Sequence, residues 1–213
     1  ASGRMHAKSQ RTLKEWHTNK PGETITMDAG RFGIASHAGS KRYHVYADYA
    51  TNYRVAYEVL DNGVKEFRRT WSLFVRDHFL PNKKAWKARR WFYGDQEWLS
   101  DGVQQELAEH GIKAIYTGTE DKKALGLAEV SVKLIAELTR SMLHSLQIDL
   151  GWWGEAISHA ATILNCRWSP ALAKRNHQVQ IAAYLWWRRW PHYNSIFRFG
   201  SVIHVRITSK ERT

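Results

Sequence analysis

Three acidic residues stand at points along the chain where carboxylates could act together. Asp28 follows a period-two run that starts at Thr24, Asp95 follows a short aromatic run, and Glu129 lies in the first turn of a long helical pattern. Hard divalent cations prefer oxygen ligands, and two such ions about 4 Å apart can activate an attacking oxygen and stabilise a leaving one in phosphoryl transfer. The three acids are therefore a candidate two-metal site, and solvated surface carboxylates are the alternative on spacing alone.

The pattern of apolar residues predicts the elements that position these acids. Alternating residues predict a strand ending at Asp28, an antiparallel hairpin that turns at Asp48–Asn52, and two further strands at 91–95 and 113–116. A polar loop is predicted over 117–123. Apolar residues three or four positions apart predict helices over about 64–79, 98–110, 125–146 and 152–166. This order is typical of a mixed sheet flanked by helices.

The composition excludes several classes of protein and indicates a polyanionic partner. The 213 residues include 32 Lys and Arg against 20 Asp and Glu, a formal charge of +12, together with 11 Trp. The single Cys166 excludes an intrachain disulfide, and no apolar stretch approaches the roughly 18 residues of a membrane span. Because cations bind phosphates and aromatic faces stack on unpaired bases, a nucleic acid is the simplest partner.

Short motifs follow one another in a fixed order along the chain. They are Arg42–Tyr53, Gly94–Trp98, His110–Ile112, Ala124–Glu129, Arg140–Leu143, Trp153–Ala156, Ile163–Arg167 and Phe199–Ser201. In this order they resemble the integrase core of copia-type retrotransposons, which belongs to the retroviral integrase superfamily with its ribonuclease-H-like fold. The resemblance covers about Ala7 to Arg212, and a series of ordered motifs is far more specific than any one of them.

The resemblance implies a fold, a reaction and a set of catalytic residues. The fold would be a ribonuclease-H-like mixed five-stranded sheet flanked by helices, with a short C-terminal helix and strand extension. Asp28, Asp95 and Glu129 would be the catalytic triad and would bind Mg²⁺ or Mn²⁺, as two ions. The implied activity is polynucleotidyl transfer in DNA integration, which trims a DNA 3′ end and joins it to a target phosphodiester. A catalytically inactive DNA-binding or assembly module and a nuclease that cuts without joining are the alternatives.

Basic residues near the three acids are candidate contacts to DNA phosphates. Lys133 lies one helical turn beyond Glu129, and Lys122 and Lys123 lie in the loop predicted before the long helix. The basic run before the fourth strand contributes Lys83, Lys84, Lys87, Arg89 and Arg90. A solvated surface cation is the alternative for each of them. Asp48, by contrast, is assigned to the hairpin turn rather than to the metal site.

The sequence departs from the family pattern beside two of the three acids. The Gly pair that follows the second acid in the family is absent after Asp95, Ala124-Leu125 replace a Gln-Asn pair, and Val130 replaces an Arg. These changes keep the three acids and remove polar groups that face DNA or the active-site loop in the family. They are the reason for retaining the inactive module as the alternative.

Three segments and their partners are predicted. Residues 1–22 form a basic linker without the family's upstream zinc module, residues 23–168 form the catalytic core, and residues 169–213 form an extension with a helix at 181–187 and a strand at 201–207. The implied partners are double-stranded DNA, as element ends and as target, and further copies of the chain. No membrane partner is implied. Nuclear action, with a cytoplasmic particle of the element, follows from the resemblance alone.

Several residues are predicted to be structural. Cys166 is interpreted as an inert buried thiol, and the apolar helix at 152–166 is either a dimer surface or part of the core. The aromatic and histidine residues predicted to have structural roles are Trp71, Trp91, Trp153, Trp186, His110 and His159.

Overall fold

The strands of the protein form one mixed sheet in the order β3-β2-β1-β4-β5. The computed structural model describes residues 20–81, 90–95, 100–117, 122–175 and 177–201, with the backbone only at 95, 116–117 and 122–125. The strands are β1 (Thr24–Arg31), β2 (Arg42–Asp48), β3 (Arg54–Val59), β4 (Arg90–Asp95) and β5 (Ile112–Thr117). The first three pair antiparallel, and β4 and β5 are added parallel to β1. The predicted mixed five-stranded sheet is confirmed.

Helices cover both faces of this sheet. They are α1 (Val64–Phe74), α2 (Asp101–Glu109), α3 (Lys122–Ser145), α4 (Trp153–Cys166), α5 (Pro170–Lys174) and α6 (Ala182–Trp187). A π-helical turn, Val75–Phe79, extends α1, and a 3₁₀ turn, Leu150–Trp152, precedes α4. Within the described ranges, no helix is long and apolar enough to cross a membrane. The predicted helices are present in the predicted order, and α3 starts inside the segment predicted to be a loop.

The first strand is longer than predicted. The glycines after Asp28 predict an end at that residue, yet β1 continues to Arg31, since Ala29 and Gly30 keep their pairing with His44 and Tyr43 of β2. Pairing with a long neighbouring strand outweighs the low strand preference of glycine. Asp28 therefore lies within the strand and is held by neighbours on both sides along the chain.

Two apolar layers hold the helices on the sheet. Trp71 of α1 and Trp186 of α6 are fully buried on one face, and Trp153 of α4 is fully buried on the other. These three tryptophans confirm the predicted core positions, whereas Trp91 is half-buried with the Lys113 ammonium 5.4 Å from its ring centroid. The exposed side of α4 is polar, and its apolar side packs against β3 and α3. That apolar side is therefore core rather than a free dimer surface.

The segment after α4 shares the core of the sheet. Leu172 of α5 and Leu185 of α6 are buried in the same cluster as Trp71, and Trp168 forms a β-bridge with Ile181. The helix predicted at 181–187 is present, and the strand predicted at 201–207 falls almost wholly outside the described residues, as do residues 1–19 of the predicted linker. The predicted domain boundaries stay predictions, but packing continues across position 169.

Asp48 closes the turn of the β2–β3 hairpin. Its carboxylate accepts hydrogen bonds from the Thr51 N–H and hydroxyl, at 2.8 and 2.7 Å, and from the Gly22 N–H at 2.8 Å. Burial raises the pKa of Asp48 to about 6 against these hydrogen bonds, which lower it. The predicted turn role is confirmed, and the carboxylate also secures the chain just before β1.

Asn165 covers the free edge of the sheet at β3. Its Oδ1 accepts from the Arg54 N–H at 2.8 Å, and its Nδ2 donates to the Arg54 carbonyl at 2.6 Å. The side-chain amide thus replaces the backbone pairing that an edge strand lacks. The Arg54 guanidinium is also buried and donates from Nε to the Ser131 hydroxyl of α3 at 2.8 Å.

Replacing Asn165 with Ala is expected to destabilise the protein by about 2–4 kcal/mol, because it leaves a buried N–H and a buried carbonyl without partners. Thr162→Ala, an exposed change on the same helix, is the matched control and is expected to cost less than about 1 kcal/mol. Urea denaturation measures both variants. Equal stability of the two would contradict the role given to the amide.

Two buried titratable groups are expected to give opposite pH dependence of stability. The His44 Nδ1 lies 3.0 Å from the Thr70 hydroxyl, and burial lowers the pKa of His44 from 6.5 to about 4. Between pH 6.5 and 4 the unfolded chain takes up this proton first, so His44 makes stability fall as the pH falls. Asp48, with its pKa raised from 3.8 to about 6, is protonated first in the folded chain and makes stability rise over the same range.

We therefore expect His44→Gln to reduce the loss of stability between pH 7 and pH 4.5, and Asp48→Asn to increase it, each by about 2 kcal/mol. The measurement is urea denaturation at both pH values. His144→Gln removes an exposed imidazole from α3 and serves as the control. If both buried variants changed the pH dependence of the free energy of unfolding in the same direction, the opposite pKa shifts of His44 and Asp48 would be contradicted.

Candidate active site

Asp28 lies in the middle of β1 on the face of the sheet that α3 and α4 cover. It pairs with Val45 of β2, which belongs to the buried cluster on that face. The carboxylate is half-buried, and its Oδ1 accepts a hydrogen bond from the Ala29 N–H at 2.7 Å. Strand pairing and this hydrogen bond fix the acid in place before any ligand binds.

The register between β1 and β4 brings the second acid next to the first. Thr24 pairs with Trp91 and Thr26 with Tyr93 in the parallel ladder. The ladder pairs end at Thr26 and Tyr93; the same offset continued for two residues would bring the backbone of Asp95 level with that of Asp28, where paired strands lie about 4.8 Å apart. Asp95 is the last residue of β4, as the sequence predicted, and its side chain lies outside the described part of the structure.

Tyr43 connects the strand of Asp28 to the helix of Glu129. Its hydroxyl donates to the Val132 carbonyl of α3 at 3.2 Å, one helical turn beyond Glu129. The tyrosine ring lies directly over Gly30, where a Cβ would come 2.0 Å from the ring. Burial raises the pKa of Tyr43 to about 12, with the charge of Asp28 acting in the same direction and that of Arg140 against it. The phenol therefore stays protonated at neutral pH and continues to donate.

A second contact fixes the rotation of α3 around Glu129. The Ser131 hydroxyl accepts from Arg54 and donates to the Leu127 carbonyl at 2.6 Å, and Ala128 is fully buried. With these residues facing the sheet, Glu129 and Val130 face outward and are exposed. Gly30, Tyr43 and Arg54 support the site but were not predicted from the sequence. A glycine inside a strand often marks a close approach of another group, but Gly30 lay beyond the predicted end of the strand at Asp28.

Of the predicted DNA-contacting cations, Lys133 and Arg90 have side chains within the described part of the structure. Lys133 is exposed on α3 and lies 3.9 Å from Glu137. Lys122 and Lys123 form the start of α3 rather than a loop, and their side chains lie outside the described residues. Lys83, Lys84, Lys87 and Arg89 also lie outside the described residues.

The position of Arg90 differs from the predicted DNA contact. It is buried, with its guanidinium 5.0 Å from the centroid of the Phe79 ring, and burial lowers its pKa. Its place in the sequence puts it in the basic run, but β4 begins at this residue and the side chain is buried. A buried cation that packs on an aromatic ring is a structural contact rather than a DNA contact.

The carboxylate set fits a hard divalent cation in its chemistry. Among the described side chains, no group of three or more His, Cys, Asp and Glu could hold a metal ion, and the side chain of Asp95 is not among those described. What the structure adds is the adjacent register of Asp28 and position 95 and the anchored helix of Glu129. Carboxylate oxygens are the ligands that Mg²⁺ and Mn²⁺ prefer.

The chain is 24% identical over 213 residues to the retrovirus-related Pol polyprotein from transposon TNT 1-94 of Nicotiana tabacum, a match that covers 99% of this chain and 15% of the polyprotein. The chain resembles a retrotransposon Pol polyprotein. The match confirms the resemblance to a retrotransposon protein that the ordered motifs indicated. No family model matches the chain.

The fold is similar to that of a chain in a retroviral complex. That structure is the cryo-EM structure of the simian T-cell lymphotropic virus intasome in complex with PP2A regulatory subunit B56 gamma, with a TM-score of 0.62 at 14% identity. The match covers 89% of this chain and 62% of the other. It supports the predicted fold class, and the chain spans only part of each of these two relatives.

Gly30→Ala is expected to destabilise the protein by about 1–3 kcal/mol or more, because the new methyl group would overlap the Tyr43 ring. Gly33→Ala is the matched control, since no atom lies within 4 Å of a Cβ at that position. Thermal and urea denaturation compare the two variants. If Gly30→Ala were as stable as the control, the close approach would not constrain the site.

Proposed function

We propose that the chain is the catalytic core of a retrotransposon integrase, a metal-dependent polynucleotidyl transferase that processes DNA 3′ ends and transfers them to target DNA. The observation that carries the proposal is the adjacent register of Asp28 and Asp95 beside the anchored helix of Glu129. The similarity to a transposon Pol polyprotein supports the same reaction class. The matched segment is 15% of that polyprotein.

Asp28, Asp95 and Glu129 would together hold two Mg²⁺ or Mn²⁺ ions. When bound, such ions neutralise charge on the attacking and leaving oxygens of an in-line phosphoryl displacement. The chain itself contributes position: pairing within β1 holds Asp28, and Tyr43 and Arg54 fix the height and rotation of α3. Preorganised groups of this kind require little rearrangement during the reaction.

The proposed substrate is double-stranded DNA, as element ends and as target. Lys133 projects from α3 one turn beyond Glu129 with 76% of its side chain exposed, where it can reach a backbone phosphate. The net charge of +12 favours DNA association at moderate salt. A homo-oligomer acting in the nucleus belongs to the same proposal.

A second candidate is a DNA-binding or assembly module with the same fold and no turnover. The observation that favours it is Val130, which is 50% exposed next to Glu129, where the family that the sequence resembles has an arginine. An apolar side chain at this point contributes no charge to bind a phosphate.

Joining of labelled duplex oligonucleotides, with Mg²⁺ or Mn²⁺, tests the proposal on the full chain. We expect Glu129→Gln to lower joining by at least about a hundredfold while DNA binding persists, because a metal ligand is lost. Asp28→Asn and Asp95→Asn are expected to behave alike. Glu137→Gln, an exposed acid two turns further along α3, is the matched control and is expected to retain activity.

The results separate the candidates. A wild-type chain that binds DNA but joins nothing with either metal would favour the inactive module. Hydrolysis products without joined products would indicate a nuclease. Full activity of Glu129→Gln would exclude the proposed triad.

A further inference from the structure

The C-terminal part of the chain combines cations with exposed aromatic rings and lacks acids. From Ala156 to Lys210 the sequence contains eight Lys and Arg and no Asp or Glu. Four large aromatic side chains of this segment are about half exposed or more, namely Trp168, Trp190, Tyr193 and Phe197. Aromatic side chains of this size normally lie in the core. Their exposure beside arginines therefore indicates a binding surface.

Trp190 and Phe197 line a groove along the outer side of α4, and Tyr193 adjoins it through its hydrogen bond to the Cys166 carbonyl. A cavity of about 220 Å³ lies between α4 and the segment after α6, with Arg189 and Trp190 in its wall. A second cavity of about 350 Å³ continues toward the end of α3 and includes His159 and Arg198. Ile196 lines both cavities, so they adjoin each other, and together they are called the groove. Within the described structure, no acidic side chain lines either cavity.

Two rings at the groove are held in place while much of their surface stays exposed. The Trp190 ring packs 4.6 Å from the Tyr184 ring, centroid to centroid, and 57% of the residue remains exposed. The Tyr193 hydroxyl donates to the Cys166 carbonyl at 3.2 Å, and 51% of that residue remains exposed. The Arg189 guanidinium lies 5.7 Å from the Trp187 ring centroid. Fixed rings lose little conformational entropy when a ligand stacks on them.

We propose that this groove binds single-stranded nucleic acid, with unpaired bases stacking on Trp190 and Tyr193 and phosphates contacting Arg189 and Arg198. Stacking needs a base face that a duplex conceals, and arginine supplies the charge that the phosphate backbone requires. Arg189 and Arg198 line the cavities, and no acidic residue among those described does, so the wall carries positive charge that complements a phosphate backbone. An exposed ring with an adjacent cation is also typical of strand-binding proteins without sequence preference.

This groove is separate from the candidate triad. Asp28 lies on β1 and Glu129 on the N-terminal half of α3, and neither lines the two cavities. Binding of unpaired strands therefore does not depend on the proposed transferase activity. It can be measured in EDTA and in the Asp28→Asn variant.

Fluorescence anisotropy of a labelled oligo(dT) of about 15 nucleotides, with the full chain in EDTA, tests the proposal. We expect Trp190→Ala and Tyr193→Ala each to weaken binding about tenfold, Trp190→Phe to retain most of it, and Asp28→Asn to leave it unchanged. Trp152→Ala is the matched control, because Trp152 is 45% exposed and lies in the turn before α4, next to His37. Circular dichroism checks that each variant is folded. If Trp190→Ala unfolds, Tyr193→Ala and Trp190→Phe still test the proposal.

Three results would overturn the proposal. Wild-type affinity in both alanine variants would show that the rings do not contact the strand. An equal loss of binding to a duplex of the same length would show that the groove does not distinguish unpaired bases. Displacement of oligo(dT) by an equal charge concentration of poly-glutamate would show that the groove recognises acidic chains in general.

Discussion

The close approach of Tyr43 to Gly30 is the contact on which the position of Asp28 relative to the helix of Glu129 depends. Because position 30 has no Cβ, the tyrosine ring can lie across β1, and its hydroxyl reaches the Val132 carbonyl of α3. The strand that carries Asp28 is thereby joined to the helix that carries Glu129. The β1–β4 register, continued past its last pair, separately directs position 95 toward Asp28. Backbone pairing and one packing contact therefore hold Asp28 and α3 in place.

Polar groups inside the protein connect elements that lie far apart in the chain. Asn165 and Ser131 link α4 and α3 to Arg54 on the edge strand, and the Thr70 hydroxyl lies within hydrogen-bonding distance of both His44 and Tyr46. Burial lowers the pKa of Arg54 to about 10, which still leaves it charged at neutral pH. A buried charge of this kind is costly unless its donors are used, so it restricts the positions that α3 can take.

The basic charge of the chain is divided between the core and the surface. Arg54 and Arg90 are buried, whereas Arg140 is exposed with its guanidinium 5.2 Å from the centroid of the Phe32 ring. Arg189 and Arg198, in contrast, border the groove along α4. A net charge of +12 therefore indicates an anionic partner without locating it. Packing determines which cations remain available to that partner.

By itself, the sequence determined the order of the strands and helices, the hairpin turn at Asp48 and three of the four predicted core tryptophans. These features depend on local periodicity and on side chains that bond to nearby backbone, which a single sequence displays directly. The ordered motifs also identified Asp28, Asp95 and Glu129 as the acids to examine. The tertiary structure alone decided that β1 extends past Asp28, that Arg90 is buried and that the apolar side of α4 is core. It also decided which aromatic rings after α6 are exposed. Each of these outcomes depends on which distant surface packs against a residue, and local pattern does not specify that surface.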